Sequence, residues 1–114
     1  MRKTVVLVCL SLLVTACQSH PLYKARDLVS VGDLRKDAIE ILNEEAWYHQ
    51  PCKNLSSIDD LFFYGSQRYD KADIVIVTSI LVDGEYRVCD IGSFEPYLWH
   101  AVYGDCIDRD RFKD

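Results

Sequence analysis

The run Asp73-Ile-Val-Ile-Val-Thr-Ser-Ile-Leu-Val82, followed by Asp83-Gly84 and then Glu85-Tyr-Arg-Val-Cys-Asp-Ile91, decides the fold. Segments this rich in Val and Ile suit extended strands, where branched side chains pack against their cross-strand neighbours. Asp-Gly between two such segments is the composition of a two-residue hairpin turn, whose central positions need positive φ. With Asp83 and Gly84 as the turn, Leu81 faces Tyr86 and Ser79 faces Val88. Val75, Val77, Leu81, Tyr86 and Val88 then share one face, and Ile74, Ile76, Ile80, Val82, Cys89 and Ile91 the other. Both faces are apolar, whereas an antiparallel sheet with one wet side alternates apolar with polar residues. The second face therefore calls for a cover: a partner, a second copy of the chain, or the chain's own tether, short helix and tail after Cys106.

Upstream of the hairpin the period changes. Over Val31 to Gln50, Leu34, Ala38, Ile41 and Leu42 recur at helical spacing, with Ile39 and Ala46 at the edge of the same stripe. Ser30 or Asp33 caps the start and Pro51 enforces the stop. A second, shorter helix is expected over Ile58 to Tyr64, from the Ser57/Asp60 capping spacing to Gly65, although Leu61-Phe62-Phe63-Tyr64 also suits a strand. Downstream, Gly92-Ser93 reads as a turn and Tyr97 to Tyr103 as a third strand. The fold class is α+β: one long amphipathic helix, with the short second one, on an antiparallel three-stranded meander.

The 114 residues leave room for one small domain, and 49% hydrophobic content with a net charge of -5 argues against disorder or a basic nucleic-acid binder. The amino terminus stands apart from the rest. Arg2 and Lys3 precede an apolar run from Thr4 to Leu13, too short for the roughly 20 residues a bilayer-crossing helix needs. The run closes on Leu13-Val14-Thr15-Ala16-Cys17, with small residues directly before a cysteine. Val14-Thr15-Ala16-Cys17 resembles the lipobox of bacterial lipoproteins. The resemblance covers only these first residues, and it implies cleavage between Ala16 and Cys17, a diacylglyceryl thioether on the Cys17 thiol and an acyl chain, such as palmitate, on its new amine. With Gln18 rather than aspartate after the cysteine, it also implies the periplasmic face of the outer membrane. On this reading residues 1–16 are a signal peptide, 17–30 the lipidated cysteine and tether, and 31–114 the periplasmic domain. Without Arg2 and Lys3, 11 basic residues face 18 acidic ones, a charge of -7 that attracts a basic partner. The alternative, ordinary cleavage before an unmodified Cys17, leaves an even number of cysteines in the mature chain.

Three cysteines besides Cys17 belong to the mature chain. Cys89 and Cys106 flank expected antiparallel strands and are disulfide candidates for an oxidising compartment, with Cys52 the rival partner for either. His49-x-x-Cys52 is the only tight pair with metal-ligand spacing, so no metal site is expected. No Gly-x-Ser-x-Gly elbow and no phosphate loop occur, and acids such as Asp59, Asp60, Asp70, Asp73, Asp90 and Glu95 read as caps, turns or solvated charge, so no catalytic residue is assigned. Tyr97, Trp99 and Tyr103 fall on one face of the expected third strand, with His100 on the other; rigid aromatics so presented are either core or an interface anchor. The expected function is a lipid-anchored, non-catalytic module that binds another envelope protein, with no cofactor and no nucleic acid. The alternatives are an inhibitor or immunity lipoprotein against a basic toxin or lysozyme, and a peptidoglycan-acting enzyme.

Overall fold

The computed structural model describes residues 20–94 and 96–113, with the side chains of Pro96, Tyr97, Trp99 and His100 outside that description. The expected signal peptide, the Ala16/Cys17 cleavage site and the lipidation site Cys17 also lie outside the described residues. Four strands, β1 (Tyr48–Lys53), β2 (Ser57–Gly65), β3 (Ala72–Val82) and β4 (Glu85–Gly92), form one antiparallel sheet in sequence order. Helices α1 (Pro21–Leu28) and α2 (Arg35–Leu42) pack on one face. Helix α3 (Pro96–Tyr103) and the carboxy-terminal segment come after β4, and the tail covers the other face. The class is α+β, with four strands where three were expected and no single long helix.

The β3–β4 hairpin forms in the register expected from its turn. Asp83 (φ 51°) and Gly84 (φ 85°) both adopt the left-handed conformation, and Leu81 pairs with Tyr86 and Ser79 with Val88. Beyond that point the register shifts between Thr78 and Ser79, so that Thr78 opposes Asp90 and Val77 opposes Ile91. An inserted residue in one strand reverses the facing of everything after it. Ile91, expected beside Ile74 and Ile76, therefore joins Val75, Val77 and Val88 in the core under the helices.

Four other expectations are corrected. Residues 21–28, read as tether, form α1, whose Ala25 is buried and which is followed by buried Val29. Pro21 opens this helix, and the His20 ring accepts the Leu22 backbone N–H at its amino end. The helix expected over Val31 to Gln50 is confined to Arg35–Leu42. Before it, Gly32 and Asp33 hydrogen-bond to Val88 of β4; after it, Trp47 pairs with Phe63 and the chain continues as β1. Pro51 thus sits in an outer strand, where a missing N–H disrupts no central ladder. Ile58 to Tyr64 is strand, not helix, because its side chains divide between two cores: Phe62 under the helices, Leu61 and Phe63 on the opposite face. Tyr97 to Tyr103 is the reverse case, helix instead of strand, opened by Pro96 at a position where a proline costs no hydrogen bond.

The second sheet face is not left open. Cys52, Leu61, Phe63, Ala72, Ile74 and Ile76 are buried there together with Ile107 and Phe112 of the tail, and Trp47, Tyr48, Tyr69 and Tyr103 pack around them. Phe112 stands edge-on to Phe63, Trp47 and Tyr69, with ring centroids 5.0–5.1 Å apart. A disulfide between Cys52 and Cys106 ties this segment to β1, with Cα atoms 5.9 Å apart. The Cys89–Cys106 bridge first expected is not made. Its geometry assumed a third strand beside β4, whereas α3 carries the chain across the sheet to β1, and Cys89 keeps a free thiol.

Candidate functional site

Two consecutive residues of β2, Asp59 and Asp60, point to opposite faces and organise the polar chemistry of the described residues. Asp60 is fully buried under the helices. The Arg35 guanidinium at the start of α2 grips it with two bonds, Nε to Oδ2 at 2.7 Å and Nη2 to Oδ1 at 2.9 Å. His49 of β1 adds Nε2 to Oδ1 at 2.8 Å, its ring stacked on Phe62 at 4.6 Å. An ionised carboxylate only accepts, so His49 is the donor in this contact. Burial opposes the Asp60 charge, but the bonds and charges of His49 and Arg35 outweigh it and hold the carboxyl below its ordinary value. Asp60 in turn holds Arg35 above its own, against the cost of partial burial.

Asp59, on the tail side, is held by groups without charge. It accepts hydrogen bonds from Thr78 Oγ1 at 2.7 Å, Tyr103 OH at 2.9 Å and Asn54 Nδ2 at 3.2 Å. Burial, together with the bond to Asp59, pushes the Tyr103 phenol well above its usual range. Cys89 shares this neighbourhood. Burial, with the negative charges of Asp90 and Asp59, raises its thiol, the opposite of what activates a cysteine nucleophile.

These contacts engage several of the residues that the sequence singled out. His49 and Cys52, the pair with metal-ligand spacing, are engaged separately, by Asp60 and by Cys106. Among the described residues no group of three His, Cys, Asp or Glu is placed to hold a metal ion. Tyr103 belongs to the Asp59 network, and the aromatic strand face expected at Tyr97, Trp99 and Tyr103 does not exist because the segment is helical. His100 lies on the same helix, so the two-faced strand pattern that set it apart is also gone. Arg35 and its grip on Asp60 were missed. The only sequence signal was a charged residue, Asp60, directly before the apolar run Leu61-Phe62-Phe63, which in a central strand demands a buried partner.

Besides Leu28 and Val31 on the helix side, two groups of exposed apolar residues lie at opposite ends of the sheet. Because Ser57 pairs with Ile80 and Lys53 with Ile58, the β1–β2 loop and the β3–β4 hairpin share one end. There Leu55 is fully exposed, and Ile80, Leu81 and Val82 are 40%, 57% and 38% exposed. At the other end, near Asp73, His20 begins the described chain beside a cleft of about 430 Å³ that also involves Tyr23, Phe94 and Leu98. A smaller cleft of about 220 Å³ gathers Arg68, Arg109 and Lys113, with the Arg109 guanidinium 4.3 Å over the Tyr69 ring. No described helix is long and apolar enough to cross a membrane. Comparison with protein-family models, curated proteins and solved structures finds no match to this chain.

Proposed function

We propose that this chain is a lipid-anchored lipoprotein on the periplasmic face of the outer membrane, and that it works without catalysis by binding another envelope protein at the hairpin end of its sheet. The observation that carries this reading is a division of labour among side chains. Asp59, Asp60, His49, Arg35, Cys52 and Cys106 are spent on internal bonds, whereas Leu55, Ile80, Leu81 and Val82 stay in water together. Scattered exposed apolar residues need no explanation, but a group of them on the β1–β2 loop and the adjoining end of β3 is the usual material of a protein contact. The anchor rests on the Val14-Thr15-Ala16-Cys17 sequence, and the net charge of -7 after cleavage favours a basic partner.

A photo-crosslinking residue in place of Leu81 in the intact, membrane-tethered protein is expected to capture one envelope protein in living cells, and a Leu55→Asp change to abolish that capture. A secreted toxin or lysozyme as the captured species would favour the inhibitor alternative, and capture of nothing would overturn the docking end. Mass spectrometry of the amino-terminal peptide checks the anchor, and an unmodified Cys17 would end that part of the reading.

A further inference from the structure

The end of the sheet away from the hairpins carries an apolar surface with a different occupant. Helix α3, Pro-Tyr-Leu-Trp-His-Ala-Val-Tyr, contains no charged residue. Leu98, Ala101 and Val102, at helical spacings of three and four, share a face and are all exposed, Leu98 by 43% and Val102 by 60%. Next to this face, Phe94 is 39% and Tyr23 47% exposed, and Leu98, Phe94, Tyr23 and His20 line one cleft. A solvent-facing helix ordinarily offers charge to water on that side.

We propose that this face of α3, with Phe94 and Tyr23, rests in the interfacial layer of the bilayer that holds the anchor. The inference depends on the lipid anchor proposed above. From Cys17 to His20 the chain advances three residues, which span at most about 10 Å when extended. Lipid chains on Cys17 therefore bring the bilayer surface within that distance of the cleft where Tyr23, Phe94 and Leu98 meet. A tether this short gives the contact a high effective concentration, so even weak affinity keeps it made. The chemistry matches as well. Apolar faces of interfacial helices settle about 5–10 Å into the boundary between headgroups and acyl chains. With a mature charge of -7, the suitable surface is zwitterionic rather than anionic. The hairpin end, at the opposite end of β3 from the cleft, is then free for a protein partner.

The test uses the full processed lipoprotein in phosphatidylethanolamine–phosphatidylcholine vesicles, on a Cys89→Ser background, with a nitroxide attached after Leu98→Cys, Val102→Cys or, at the hairpin end, Leu81→Cys. In the vesicle-bound protein the first two labels are expected to become accessible to oxygen and to lose most of their accessibility to a water-soluble nickel complex, while the Leu81→Cys label keeps its aqueous behaviour. If the protein floats with the vesicles but all three labels remain equally aqueous, the membrane contact of α3 is overturned and the anchor stands. If the protein does not float with vesicles, the anchor reading fails and takes this contact with it. All three positions are exposed, so the substitutions leave the core intact, and a preserved Cys52–Cys106 bridge in each labelled protein checks the fold.

Discussion

The two faces of the sheet solve the same problem in different ways. Each receives one aspartate from β2 and one apolar cluster. On the helix face, Asp60 is excluded from water and is held by the Arg35 guanidinium of α2 and by a ring N–H of His49 on β1. On the tail face, Asp59 keeps some exposure and is held by two hydroxyls and an amide. The covers differ correspondingly. Helices α1 and α2 bring their own apolar stripe, Ala25, Ala38 and Leu42, whereas the tail has only Ile107 and Phe112 as buried anchors and depends on a covalent tie. A segment with little hydrophobic surface cannot offset its own ordering entropy, and a cross-link lowers that entropy in the unfolded chain.

The largest expected effect follows from removing that tie. Replacing Cys52 and Cys106 together by Ala should cost about 4 kcal/mol, as expected for a loop of this length on chain-entropy grounds, with the tail losing amide-exchange protection while the helices retain theirs. Equal loss of protection on both faces would show that the two covers are not independent. Next, Asp60→Ala leaves the partly buried Arg35 guanidinium and the His49 ring without their acceptor and should cost about 3 kcal/mol, read as a lowered denaturant midpoint. The same group predicts an acid limb. Because the folded pKa of Asp60 lies below its unfolded value, its contribution is complete above the ordinary carboxylate range and disappears as pH falls through the folded pKa. The Asp60→Asn protein should therefore lose less stability between neutral and strongly acidic pH than the parent. The smallest effect is expected at Asp59: an Asp59→Ala change leaves hydroxyls near water and should cost about 1–2 kcal/mol. A cost equal to that of Asp60→Ala would remove the distinction between the charged and the neutral network.

The hairpin at Asp83-Gly84 was legible because turn chemistry and β-branched content are local properties, and they pointed the same way. The helix and strand assignments on either side were less so, and for a common reason. Short apolar runs such as Leu61-Phe62-Phe63-Tyr64 and Tyr97 to Tyr103 carry no decisive period, and whether they extend or coil depends on which neighbours need them. With Tyr48–Lys53 drawn into the sheet as β1, β2 is a central strand and the segment after β4 is left to cover a face.

Residue order was enough for the α+β class, the β3–β4 register beside the turn, and a cysteine set able to form one bridge. These rest on dihedral preference and residue type, which act over a few neighbours. Tertiary structure alone decided that Cys52 rather than Cys89 meets Cys106, that Ile91 turns under the helices, and that Arg35 and His49 converge on Asp60. Each of these outcomes joins residues on different elements, and such meetings are fixed by the packing of the whole sheet between its two covers.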